Sequence, residues 1–188
     1  MGNSRAAAIL TTADVNEAIH AVRALLAIAD VTDGEVDFEA KIRTREVLSR
    51  VQEVLPDLEW WALKGKGHGS SEAGDDPAVC LPIRVFDWSR PMECAEAFIS
   101  AVAGAPAAVR WDLNAWPEVP EANLEAVSQK HAYLTLTVNS LDLYQDEPSQ
   151  DHTVHVHTNG ADGSERRVEW LARHVGGRAT GRVELAPL

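Results

Sequence analysis

Apolar positions recur along this chain with two different periods, and each period predicts an element. Between His131 and Thr158, Leu134, Leu136 and Val138 oppose Tyr133, Thr135 and Thr137, and further on Val154 and Val156 oppose His155 and His157. A period of two marks strands with one apolar and one polar face. The stretch therefore predicts two strands in the middle of a sheet, joined by an acidic connection over 145–151 that contains Pro148. Nearer the start the spacing lengthens. Val15, Ile19, Val22, Leu25, Leu26 and Ala29 fall on one helical stripe behind Asp14 and Glu17, an acid pair spaced close to a capping box. That predicts a helix over 13–29. Val47, Leu48, Val51, Val54 and Leu55 form a second stripe.

The segment ahead of the second stripe fits two readings. Val36, Phe38, Ala40 and Ile42 alternate with charged residues, as in a strand, yet Glu, Ala, Lys and Arg are good helix formers. The composition favours one helix over 36–55, ended by Pro56, and hence an N-terminal α-hairpin. Such a helix needs cover for Phe38 and Ile42 on the side opposite the later stripe; without it the strand reading wins. Strands are predicted over 58–64, over 78–88 (where Pro82 points to an edge or a bulge), over 107–113 and over 182–185. A helix follows Ser89 and Pro91 and ends at Gly104 and Pro106. A short helix is expected over 121–129 after a turn holding Trp116. Another runs over 164–175, capped by Ser164 and stopped by Gly176 and Gly177. Residues 1–11 read as a flexible arm, and the Gly/Ser/Asp-rich stretch 65–77 as a mobile loop. No repeat or long linker divides residues 1–188. The order predicts one two-layer α+β domain with a mostly antiparallel central sheet of about five to six strands and helices packed on one face.

Composition narrows the class. A chain of 188 residues with 45% apolar and 24% charged residues is long and apolar enough for one well-buried core. Cys80 and Cys94 sit in apolar surroundings and suggest no disulfide framework, so a reducing cytoplasm is the expected compartment. The opening apolar run is too short for a signal h-region, no stretch is long enough to span a bilayer, and Ala6 stands where myristoylation of Gly2 would need Ser or Thr.

Charge alters the picture more. The formal net charge is −12, and from Ser164 onward five Arg against three Glu give +2, so the preceding residues carry −14. Between Glu93 and Asp151 ten acids face only Arg110 and Lys130. This balance argues against direct binding to nucleic acid or an anionic membrane and favours a basic protein partner. Six Trp against three Phe and two Tyr is an unusual ratio, and consecutive Trp60 and Trp61 on a strand must face opposite ways. An exposed Trp beside acidic loops has the composition of a protein-binding surface. The expected partner-binding set is Trp61, Trp116, Glu118, Glu121, Asp142, Asp146, Glu147 and Asp151.

Other chemistry is thinner. His155 and His157 share one strand face and, with His152, could hold a divalent metal if Asp151 or His131 supplied a further ligand; otherwise they are the solvent side of an alternating strand. No other cofactor is implied. GKGHGSS over 65–71 lacks the phosphate-loop spacing, since no hydroxyl residue follows Lys66. Ser70 and Ser71 near His68 lack a nucleophile elbow, and neither Cys has the polar surroundings of a reactive thiol. No motif covers enough of the chain to place it in a family. The sequence thus points to an acidic protein-binding module, of the immunity or antitoxin type, that blocks a basic toxin or nuclease; DNA mimicry is a special case. The alternative is a metal-dependent or hydrolytic enzyme built on the histidine strand.

Overall fold

The computed structural model describes residues 5–65, 67–70, 76–128, 132–158, 164–180 and 183–185. In chain order the elements are β1 (Arg5–Thr12), α1 (Val15–Leu26), β2 (Glu35–Ile42), α2 (Arg45–Val54), β3 (Glu59–Ala62), β4 (His68–Ser70), β5 (Ile83–Arg90), α3 (Cys94–Ala101), β6 (Ala107–Asp112), β7 (Ala115–Trp116), β8 (Val127–Ser128), β9 (Tyr133–Val138), β10 (His152–Thr158), α4 (Ser164–His174) and β11 (Val183–Leu185). Nine strands form one sheet in the order β11-β1-β10-β9-β6-β2-β5-β3-β4, and β7 and β8 make a separate two-stranded ribbon. Every neighbouring pair is antiparallel. The protein is therefore α+β with an antiparallel sheet, larger than the five to six strands expected from sequence.

Alternation gives the sheet two unlike faces. On one, Phe38, Val109, Leu136 and Val154 stand abreast across β2, β6, β9 and β10. The helices pack here: Val22 and Leu25 of α1, Leu48 and Val51 of α2, Phe98 and Ile99 of α3, and Val168 and Leu171 of α4 join these strand residues in one buried cluster. Phe38 meets Phe98 with ring centroids 4.5 Å apart. α4 also buries Arg167, whose guanidinium donates to the carbonyls of Pro117 (2.9 Å) and Glu125 and so ties the β7–β8 segment to the helix layer. The other face carries Asp37, Glu39, Arg84, Arg110, Thr135 and His155 from successive strands.

Several expectations need correction. Residues 35–42 are a strand, so no N-terminal α-hairpin forms. As a strand, the segment puts Phe38 and Ile42 into the core, while Asp37, Glu39 and Lys41 reach the second face and find cationic or anionic partners there. The Thr44 hydroxyl then accepts from the Val47 N–H (3.4 Å) and starts α2 separately. Residues 5–12 are not an arm but β1, with Ala6–Ile9 buried between β10 and β11. Of the helix expected over 121–129, position 129 lies outside the described residues; among the rest, Pro120–Ala122 makes a single 3-10 turn closed by left-handed Asn123, and β8 follows. Of the expected mobile loop, 66 and 71–75 lie outside the described residues, and His68–Ser70 pairs with β3. The Asp14 carboxylate caps α1 through the Asn16 N–H (2.9 Å), whereas Glu17 accepts from the Thr12 hydroxyl instead of closing a box.

The two faces should respond differently to truncation. Phe38→Ala, emptying a site sealed by Phe98, is expected to lower stability by about 3–5 kcal/mol in chemical denaturation. Trp61→Ala, on the opposite face, should change it by under about 1 kcal/mol.

Candidate functional site

The second face is a floor of matched charges. Arg110 on β6 pairs with Asp37 across the β2 register and with Asp112 on its own strand (3.2 Å), and its guanidinium carbon lies 5.2 Å from the centre of the Tyr133 ring. Arg84 on β5 pairs with Glu39 of β2 at 3.0 Å. Lys41 pairs with Asp146 and donates to the Gln145 carbonyl (3.0 Å). Partly buried charges are tolerable only when paired in this way. Burial raises the pKa of Glu39 against the opposing pull of Arg84 and Lys41, and it raises that of Asp112 against Arg110. Beside them His157 packs edge-on to Tyr133, with ring centroids 5.6 Å apart, and its Nε2 lies 2.8 Å from the Thr135 hydroxyl. Burial first, then nearby His155 and Arg110, push the His157 pKa down to about 3, so its imidazole is neutral at ordinary pH.

A loop over 139–151 lies on part of this face, and one carboxylate holds it in shape. Asp142 Oδ1 accepts from the Ser140 hydroxyl (3.0 Å) and the Glu147 N–H (2.6 Å), while Oδ2 accepts from the N–H groups of Tyr144 (3.0 Å) and Asp146 (3.1 Å). Burial alone would raise the Asp142 pKa, but the backbone N–H groups and the Ser140 hydroxyl outweigh it and the net shift is downward. The loop so formed sets Leu143 against Ala6 of β1, and its Tyr144 carbonyl accepts from Arg84 (3.0 Å).

Between this loop and the far strands the floor stays open. Trp61 of β3, with Phe86 and Trp88 of β5, forms an aromatic strip: Trp61 meets Phe86 edge-on at 5.4 Å, and Phe86 stacks on Trp88 at 5.6 Å with planes 17° apart. Both indoles remain open to solvent, Trp61 at 59% and Trp88 at 50% exposure. Strip, floor and loop enclose a cleft of about 390 Å³, lined among others by Glu39, Glu59, Arg84, Arg110, Tyr144 and His157.

The expected site residues do not gather as one set. Trp61 stands in the cleft. Trp116 is fully buried, its indole N–H donating to the His157 carbonyl (3.3 Å), so it is a core residue and not an exposed anchor. Asp142 is likewise buried and committed to the loop it organises. Asp146 pairs with Lys41, Asp151 accepts from the Ser149 hydroxyl (3.3 Å), and Glu147 is exposed while its carbonyl accepts from Ser140. Glu118 and Glu121 are exposed on the segment after β7 and do not line the cleft.

The histidine strand is not a solvent face, because all of β10 is buried, flanked by β1 and β9 with helices on one side and the loop near the other. Odd and even positions separate its histidines: His155 and His157 face the floor, while His152 points the other way and its Nδ1 accepts from the Asn139 N–H (3.2 Å). Among the described residues no group of three or more His, Cys, Asp or Glu is placed to hold a metal ion; His131 lies outside them. Cys80 and Cys94 are free thiols. Sequence reasoning missed Asp37, Glu39, Arg84, Phe86, Arg110 and Tyr144. The alternation over 35–43 and 83–90 would have placed the first four on one face.

No family model, curated protein or solved structure matches the chain. No described helix is long and apolar enough to cross a membrane.

Two outcomes follow for this face. A histidine whose folded pKa is depressed binds protons more readily when unfolded, so its stabilisation is complete above about 6.5 and is lost as pH falls toward about 3. His157→Gln should therefore flatten the fall of the urea midpoint across that window, with little change above it. Asp142→Ala strands three backbone N–H groups and should cost about 1–3 kcal/mol. The exchange of the Tyr144, Asp146 and Glu147 amides with deuterium should rise well before that of the sheet.

Proposed function

We propose that the protein is a binding module that docks a basic protein partner on the open half of its second sheet face, in the manner of an immunity- or antitoxin-type inhibitor. The observation that carries this reading is the aromatic strip of Trp61, Phe86 and Trp88, left uncovered on a sheet whose other face is closed by helices. Large aromatic side chains gain roughly 25 cal/mol for each Å² of apolar surface removed from water, so leaving two indoles half exposed is costly unless something covers them. Trp, Tyr and Arg are the residues over-represented at interface hot spots, and the cleft is lined by all three. A net charge of −12 supplies the long-range attraction for a basic partner. The hydrolytic alternative has less support. With its pKa near 3, His157 is a weak base, and its hydroxyl neighbour Thr135, although it lines the cleft, is only 4% exposed.

The test is affinity capture from an extract of the source organism, run with wild type and with Trp61→Ala/Trp88→Ala side by side. A basic protein held by wild type, released as ionic strength rises and not held by the double variant, is the expected result. Identical capture profiles for the two proteins would remove the reading.

A further inference from the structure

The cleft also carries information about what the partner inserts. Its apolar wall is π surface: the nearly parallel rings of Phe86 and Trp88 present a continuous face, and Trp61 stands across it at 65° to Phe86. Tyr144, 39% exposed, lines the cleft from the loop. Aromatic faces carry negative potential and attract cations, most strongly when the site is partly desolvated.

The charges agree with that polarity. The lining holds three carboxylates, Asp37, Glu39 and Glu59, against two guanidinium groups, Arg84 and Arg110. Both arginines are engaged, Arg84 with Glu39 and the Tyr144 carbonyl, Arg110 with Asp37 and Asp112. An anionic ligand would have to draw one of them from partners it already has. Glu59 is different: it is exposed, it has no ion-pair partner among the described residues, and it lies in register with Phe86 and two residues from Trp61. A cation on the aromatic strip would therefore sit next to an uncommitted carboxylate.

We infer that the cleft receives an arginine side chain of the docking partner, its guanidinium stacked on the Trp61–Phe86–Trp88 strip and hydrogen-bonded to Glu59. A guanidinium fits better than an ammonium because it is planar, stacks on rings, and offers paired donors to one carboxylate. A cleft of about 390 Å³ lies within the usual span of ligand pockets and admits one long side chain with its backbone. This assignment rests on the docking function proposed above and adds the chemistry of the anchoring residue.

The probe is N-acetyl-L-arginine N-methylamide, titrated into the full chain while the indole N–H signals are followed by proton–nitrogen correlation spectra. Signals are assigned with Trp61→Phe and Trp88→Phe. The expected result is a saturable shift of the Trp61 and Trp88 indoles with Trp170 unmoved. Binding should weaken about three- to tenfold for the neutral citrulline isostere and for Glu59→Gln. Denaturation midpoints near wild type would show that the variants remain folded. Equal shifts with citrulline, equal or tighter binding of the lysine analogue or of acetate, or indifference to Glu59→Gln would overturn the inference. So would no shift at roughly 100 mM probe, a concentration that detects dissociation constants up to about 0.1 M. Partner capture that survives without any arginine response would sink this assignment alone. An arginine response with no strip-dependent partner would sink the docking reading and leave only the cleft's preference for a guanidinium.

Discussion

A broad antiparallel sheet has two faces, and here the described helices all pack on one of them. That imbalance governs the rest of the molecule. Helix packing supplies the apolar burial that makes the sheet stable, but it leaves the backs of nine strands to be reconciled with water by other means. The chain uses three. Over β1 it lays the loop anchored by Asp142. Under the cleft it sets pairs of opposite charges, Asp37 with Arg110 and Glu39 with Arg84. Over β3 and β5 it leaves aromatic surface uncovered. Only the last lacks an internal explanation, and for that reason it is where the proposed docking function is placed.

The loop and the floor are mechanically linked. Arg84 pairs with Glu39 and donates to the Tyr144 carbonyl, while Lys41 pairs with Asp146 and donates to the Gln145 carbonyl. Two cations from adjacent strands thus bind a loop whose internal shape is set by one carboxylate. Each does so at a modest net gain, since charge-assisted hydrogen bonds contribute roughly 1.5–3 kcal/mol against the desolvation of their partners. What they fix is position: the cleft wall that carries Tyr144 keeps its place relative to the strip that carries Trp61.

Much of the fold is legible in the chain because hydrophobic period is a local property. The stripe behind Asp14, the alternation of β9 and β10 and the glycine stop after α4 all appear where the spacing puts them. The failures have a common cause, which is that burial on the second face is not local. His155 and His157 look like solvent positions because they are polar, yet both are buried on a strand set between β1, from the far end of the chain, and β9. Trp116 looks like a turn residue beside Pro117, yet its indole N–H reaches a carbonyl forty-one residues away. Glu, Lys and Ala gave 35–42 the composition of a helix, whereas its charges were destined for partners on β5, β6 and the loop. A signal was available there: Thr44 is a good cap, and a cap in the middle of a supposed helix divides it.

The sites that escaped sequence reasoning are also the ones that make the cleft rigid, and this bears on how it could work. A binding surface made of long side chains normally loses affinity to the ordering of those chains, about 0.5–1.5 kcal/mol for each one immobilised. Here Arg84 and Arg110 are already held by carboxylates, Phe86 is stacked on Trp88 and met edge-on by Trp61, and Tyr144 sits on a loop closed by four hydrogen bonds to one side chain. Little of that wall has to be ordered when something enters. The groups left with freedom are Trp61, Trp88 and Glu59 at the mouth, which are also the ones most exposed to an incoming partner. A preformed floor with a few adjustable residues at its rim is the arrangement expected of a surface that recognises one side chain of a larger partner. His157 also lines the cleft, where its burial leaves it a weak base.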